Sequence, residues 1–283
     1  MCTKFKVGLT THSKPLNDEF FCSCKRAGIE AVELCVTKDE YATIDYKKVY
    51  SLATKHGIDL WSFHLPFIPC GLINLTYADT EEYTLNYYSE LIKKASDIGI
   101  TRFVVHPSGE PIKDENRKEY MERGKKNLSK LAEIAAKEGG VVAVEDLPRT
   151  CLGRNSQEIL ELISLNDSLR VCLDTNHLLE EDIADFIYAV KDKIITTHIS
   201  DYDFVDERHW LPGEGKLDWQ KVVKALKDVG YNGVWMYEIG FACPDSIKRD
   251  RPLNCADFAR NAAEIFGNKE ITVFSEHILD TMK

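Results

Sequence analysis

From residue 60 onward, six apolar runs of the sequence end in a histidine or a carboxylate. WSFHLP brings His64 to the end of its run and FVVHPSG brings His106. VAVEDLP ends on Glu145, and VCLDTNH on Asp174 with His177 three residues further. TTHISD places His198 and WMYEIG places Glu238. Each residue alone has a bland reading, as a hydrogen-bonded structural histidine, a helix cap or a salt-bridge partner. Six in succession point elsewhere, because gathering ionisable groups away from water is strongly unfavourable unless something pairs them. A divalent cation is the common partner of carboxylates and neutral imidazoles. Oxygen ligands with one or more imidazoles suit Mn²⁺, Co²⁺, Mg²⁺, Fe²⁺ or Zn²⁺.

The elements that must position these residues form a repeating rhythm. Short β-rich runs occupy Lys6–Thr10, Ala31–Val36, Leu60–His64, Arg102–His106, Val141–Asp146, Arg170–Asp174, Ile194–Ile199 and Val234–Ile239. Between them, helical periodicity predicts helices near 17–27, 46–57, 81–98, 116–138, 156–165, 181–191, 218–229 and 255–266. Asn17, Ser156 and Asp218 are the expected caps at helix starts, and Gly28, Gly57, Gly99, Gly139 and Gly230 follow helix ends. Eight β/α units in this length predict an α/β fold, a closed (β/α)8 TIM barrel of one domain over 1–283. The units run to about 267, and an extension over 268–283 is expected to cross the barrel bottom or reach a partner subunit. The alternative, an open doubly wound sheet, calls for a Gly-rich phosphate loop after the first strand. That position reads GLTTHSKPLND, with no G-x-G-x-x-G. In a parallel barrel the active site lies at the C-terminal ends of the strands, where the six polar residues fall.

Composition narrows the function classes. The chain has 283 residues and a formal net charge of −10, with no long Lys/Arg run. Such a surface repels phosphodiester backbones, so no nucleic-acid partner is expected. Nine cysteines, with Cys22 and Cys24 close together but no C-x-x-C, argue against a zinc ribbon or disulfide framework. No apolar stretch is long enough to cross a bilayer and no leader is evident, so a reducing cytoplasm is expected.

The segments VEDLP, LDTNH, HISD, LPGEGKLDW and YEIG resemble the xylose-isomerase-like barrels. That superfamily includes sugar-phosphate isomerase/epimerase-type proteins, ketose 3-epimerases, inosose dehydratases and endonuclease IV. The resemblance runs from the first strand to about Phe266. It implies one divalent metal held by Glu145, Asp174, His198 and Glu238, with Glu145 and Glu238 also acting as the acid/base pair on the two faces of a sugar. It implies that His177 contacts a substrate oxygen, and that Arg208 or His209, in DERHWLPGEG, does likewise. The implied chemistry is isomerisation or epimerisation of a small sugar or sugar phosphate by proton transfer through an enediolate. The expected partners are that sugar and, in a homodimer or homotetramer, further copies of the chain.

His64 and His106 stand outside the four-residue set. They either line the substrate pocket or hold a second or third metal. In endonuclease IV such histidines, with the same four core ligands, hold three zinc ions. The near-match here comprises His64, His106, Glu145, Asp174, His177, His198, His209 and Glu238, with only Asp206 or Glu207, at shifted spacing, for an aspartate of that family. A dehydratase acting on an inositol-type ketone, an abasic-site endonuclease and a non-catalytic sugar binder therefore remain as alternatives. Among other residues, Trp61, Phe63, Phe67 and Trp210 are candidates for an apolar wall against the sugar, although Trp61 alone reads as core. His12 could reach the mouth. Glu33 reads equally as a sugar contact or a polar support under the pocket. Lys216 reads as solvated rather than phosphate-binding, and Cys35, Cys70 and Cys243 as small core or pocket residues.

Overall fold

A computed structural model describes residues 5–37, 39–67 and 73–278 of the chain. Eight parallel strands alternate with eight helices: β1 (Lys6–Thr10), α1 (Asp18–Ala27), β2 (Ala31–Leu34), α2 (Tyr46–His56), β3 (Asp59–His64), α3 (Glu81–Ser96), β4 (Arg102–Val105), α4 (Asp114–Lys137), β5 (Val141–Glu145), α5 (Ser156–Leu162), β6 (Arg170–Asp174), α6 (Ile183–Val190), β7 (Ile194–His198), α7 (Trp219–Asp228), β8 (Val234–Tyr237) and, after a short β9 (Ile247–Arg249), α8 (Cys255–Phe266). β1 pairs with both β2 and β8, and the remaining strands follow in sequence order to β7. The ring is completed by a parallel bridge between Ile199 and Tyr237, where the Ile199 N–H donates to the Met236 carbonyl at 2.7 Å. The expected single-domain TIM barrel is therefore the fold.

Local chemistry explains the element ends. The Asn17 side chain accepts from the Phe20 N–H at the start of α1, and Asp218 accepts from the Gln220 and Lys221 N–H groups at the start of α7. At α5 the cap is Asn155, not Ser156: Asn155 accepts from the Glu158 N–H, while Ser156 bonds to Glu181 from the helix's first position. Gly28, at φ 86°, takes the left-handed conformation that turns the chain from α1 into β2. The other four expected glycines also have positive φ.

The barrel interior is filled from below by two small apolar layers. Ala31, Val234 and Met236 pack with Trp61, and Val104, Ala143 and Cys172 with Ile195. Gly8 is small of necessity there, since a Cβ would lie 2.6 Å from Val234. Above these layers the inward side chains become polar, and this level holds the candidate site.

The loop after β7 is braced by the buried carboxylate of Asp201. Asp201 accepts from the N–H groups of Tyr202, Gly213 and Leu217 and from the Trp219 indole, at 2.8–3.2 Å. The described part of the C-terminal extension does not cross the barrel bottom. Its β10 (Ser275–His277) pairs antiparallel with β9, which follows the C-terminal end of β8. His277 packs edge-on against Trp210 at 4.5 Å and bonds to the Glu214 carbonyl. The reason is burial: Trp210 and Ile247 on that face are apolar, and the extension covers them.

Candidate metal centre

Glu145, Asp174 and His198 are the last residues of β5, β6 and β7, and Glu238 follows β8 by one residue. Asp174 and His198 are direct register partners, so the strand ladder itself sets them side by side. One ligand atom from each of the four lies within 4.8 Å of the others. His198 is the hub. Its Nδ1 lies 2.9 Å from Glu145 Oε1, 3.4 Å from Glu238 Oε2 and 3.8 Å from Asp174 Oδ2. Its Nε2 faces Glu33 Oε1 at 2.9 Å, and Glu33 Oε2 in turn accepts from the Ser62 hydroxyl at 2.7 Å. Glu33 is thus the polar support under the pocket.

Hydrogen-bond roles expose a deficit of positive charge. A carboxylate or carbonyl can only accept. His198 has carboxylates against both ring nitrogens. His64 has the Leu65 carbonyl against Nδ1 at 2.8 Å and Glu145 Oε2 against Nε2 at 3.1 Å. His177 has the Asp146 carbonyl against Nδ1 at 2.7 Å and Glu207 Oε1 against Nε2 at 3.3 Å. A neutral imidazole offers one N–H, so His198 and His64 each either carry a second proton or meet a cation through a bare nitrogen. Asp174 Oδ2 and Asp146 Oδ2 are buried with no hydrogen-bond partner. Orphaned carboxylate oxygens beside bracketed imidazoles fit a divalent ion in ligand type and in charge.

The acid–base behaviour without a cation agrees. Burial, followed by the charge of Glu145, holds the Asp174 carboxyl well above the usual range, and burial with Glu145 and Asp174 pushes Glu238 to about 7 against the pull of His198. Burial also acts to raise Glu145, but His198 and His106 overcome it and hold this carboxyl low. Burial lowers His198, and the surrounding anionic groups, Glu238, Glu33 and Glu145 with the Cys172 sulfur, drive it well above an ordinary imidazole. A bound dication acts in the opposite sense and favours ionised carboxylates and neutral imidazoles.

Two further groups surround this one. His64 and His106 meet Glu145 Oε2 at 3.1 and 3.2 Å, and His177, Glu207 and His209 form a separate cluster. A cavity of about 320 Å³ opens above, lined by Glu145, Glu238, His12, His106, His177 and His209 among others. Phe67 lies stacked on His106 at 4.2 Å and forms its apolar wall. His209 reaches this cavity from a left-handed backbone (φ 50°), an unusual conformation for a bulky residue.

Some expected site residues lie elsewhere. Arg208 is turned away: its Nε bonds to Asp203 at 2.9 Å, an ion pair within the same loop, so His209 is the basic residue that meets the cavity. Trp61 lies at the barrel bottom under the Arg102 guanidinium, Phe63 on β3 packs against Tyr41 and does not line the cavity, and Trp210 is buried beneath the extension. Of the expected apolar wall only Phe67 remains. Cys35 lines the cavity, Cys243 bonds to the Ile247 carbonyl away from it, and Cys70 lies outside the described residues. Lys216 is exposed and does not line this cavity. Asp146 had no signal apart from its place beside Glu145. Glu207, which the sequence offers with Asp206 at shifted spacing, lines the cavity and meets His177 Nε2 at 3.3 Å.

The family model of the xylose isomerase-like TIM barrels matches residues 21–249. The chain belongs to this family. An uncharacterised protein of Methanocaldococcus jannaschii is 29% identical over 180 residues, 60% of this chain and 61% of the relative. Fructoselysine 3-epimerase of Escherichia coli is 28% identical over 119 residues, 40% of this chain and 43% of the enzyme. The chain therefore aligns with less than two thirds of the length of either relative. Among solved structures, a D-tagatose 3-epimerase-like protein superposes with a TM-score of 0.76 at 21% identity, covering 93% of this chain and 97% of the other. The D-psicose 3-epimerase of Clostridium cellulolyticum superposes with a TM-score of 0.70 at 20% identity, covering 83% and 85%. These superpositions establish the barrel.

Proposed function

We propose that this family member is a divalent-metal-dependent isomerase or epimerase of a small sugar or sugar phosphate, working in the cytoplasm. The observation that carries the reading is the convergence of Glu145, Asp174, His198 and Glu238, with a histidine nitrogen turned towards three carboxylates. These four residues would hold the ion. When bound, the ion supplies Lewis acidity that makes the C–H beside a sugar carbonyl easier to remove. The named activities of the fructoselysine, tagatose and psicose epimerases point in the same direction.

The chain's own residues supply the rest. Glu238 and Glu145 both reach the cavity and act as the general base and acid, one taking the proton from carbon and the other returning it. Glu238 is the freer of the two, since Glu145 is already engaged by His64, His106 and His198. His177 and His209 hydrogen-bond sugar oxygens, and Phe67 excludes water from the apolar side. Return of the proton to the opposite face gives epimerisation, and return to the neighbouring carbon gives isomerisation.

The test is incubation of the Mn²⁺- or Co²⁺-loaded protein in D₂O with a panel of ketoses, aldoses and their phosphates. The reading expects deuterium at a carbon beside the carbonyl of at least one sugar; no exchange with any of them contradicts it.

A second reading rests on the two further clusters, His64–His106–Glu145 and His177–Glu207–His209. Several ions so placed suit phosphoester hydrolysis, as in an abasic-site nuclease. More than one ion per chain together with nicking of an abasic duplex would select it over the epimerase.

A further inference from the structure

The cavity above the candidate metal centre continues sideways into a second one of about 210 Å³, and the two share Phe67, His106, His177 and Glu207 as a common wall. The first cavity alone reaches the lower end of the range for small-molecule sites, roughly 300–1,000 Å³, so a monosaccharide has no need of the second. The second cavity runs between the loops after β4 and β5, with Tyr88, Leu147, Pro148 and Cys151 among its walls. Between the shared wall and its outer end the lining is mainly apolar, with Ile73, Tyr88, Leu147 and Pro148, and the oxygens of its two neutral polar side chains already accept, Asn74 Oδ1 from Thr76 and Ser108 Oγ from the Leu152 N–H. A sugar hydroxyl placed there is stripped of water and finds little in return. An aliphatic chain loses nothing there and gains burial.

The outer end of this arm is charged. The Arg149 guanidinium is ringed by Glu110 (3.1 and 3.2 Å), Asp206 (2.7 Å) and Glu207 (3.3 Å), three carboxylates around one cation. Arg149 holds this place from a left-handed backbone, φ 52°, and its single positive charge is outnumbered by the three carboxylates. The uncompensated charge at the rim is negative.

We propose that the physiological substrate is a substituted sugar, a ketose bearing an aliphatic chain that ends in an ammonium group. The ketose lies in the metal-bearing cavity and the chain in the arm, its cation among Glu110, Asp206 and Glu207. This rests on the epimerase reading for the chemistry, but its binding component stands apart from turnover.

The experiment uses the full chain loaded with Mn²⁺ and four probes: an unsubstituted 2-ketohexose, and the same ketose carrying at C1 or C6 a butyl, an aminobutyl or a carboxypropyl group. Dissociation constants come from calorimetry and turnover from solvent deuterium exchange. The expected order of affinity is aminobutyl, then butyl, then carboxypropyl, with aminobutyl at least about tenfold above the unsubstituted ketose, a gain that burial of two methylenes already supplies. Leu147→Trp, which fills the arm, should remove that advantage. Glu110→Lys, on the partly exposed rim, should reverse the order of the two charged probes and serves if Leu147→Trp does not fold. Equal affinity for all four probes, or preference for the unsubstituted ketose, overturns the proposal. The expected order of affinity without deuterium exchange supports the arm and overturns the epimerase reading instead.

Discussion

Replacing Glu33 by glutamine tests whether His198 is oriented for a metal. Glu33 is fully buried and both its oxygens accept, one from His198 Nε2 at 2.9 Å and the other from Ser62 at 2.7 Å. Glutamine keeps the volume, so no cavity forms. Its carbonyl can still accept from His198, and the Ser62 hydroxyl can rotate to accept from the new NH₂. What is lost is the charge on the acceptor, and with it roughly half the strength of that hydrogen bond and part of the basicity of Nδ1. Changes of this kind typically weaken metal affinity by about 10- to 100-fold, or about 1.4–2.8 kcal/mol. Competition of the apo-protein with a chromophoric chelator for Mn²⁺ or Zn²⁺ measures it directly. A well-folded Glu33→Gln protein with wild-type metal affinity would refute the role given to Glu33 and, with it, the orientation of His198.

Other outcomes follow from the same geometry. Glu145→Gln and Glu238→Gln should each lower solvent exchange by about 10²- to 10⁴-fold while thermal melting stays cooperative, and wild-type activity in either would remove that residue from the acid/base pair. Without metal, Asp174, Glu238 (about 7) and His198 hold protons more tightly in the folded chain than when unfolded. That stability is present at acidic pH and is lost as pH rises through the folded values, so the melting temperature of the apo-protein should fall between about pH 5 and 8. Metal needs the deprotonated ligands, so the stabilisation it adds should grow over the same window, with protons released on binding in calorimetry across buffers of different ionisation enthalpy. Asp201→Ala strands three backbone N–H groups and the Trp219 indole, and should destabilise the fold by about 3 kcal/mol or more in urea denaturation.

The order of elements was legible because each strand is a short apolar run and five helices end at a glycine that takes positive φ. The strand ends were placed up to two residues late. Val36, His106, Asp146 and Ile239 all read as strand, yet the ladder stops before them, and Ile199 keeps only an isolated bridge. The reason is physical: at the mouth of the barrel the chain must leave its neighbour to aim side chains inward, and composition does not mark that departure. The four converging residues were named through resemblance to a family, and the ladder then set two of them, Asp174 and His198, side by side. Glu33 was ambiguous because its partner, His198, is far away in sequence. The loop 201–217 hid most: it has no periodicity, so the inward turn of Glu207 and His209 and the outward turn of Arg208 depend on the Asp201 brace and the Asp203 ion pair. The β9–β10 ribbon was likewise illegible, with only three residues in each strand.

The central claim is that one doubly charged ion sits among four side chains at the mouth of the barrel. Crystals grown with Mn²⁺ and measured at the manganese edge test it most directly. The account predicts an anomalous peak at coordination distance, about 2.0–2.6 Å, from oxygens of Glu145, Asp174 and Glu238 and from His198 Nδ1. A fully loaded crystal with no peak between these four residues would contradict it.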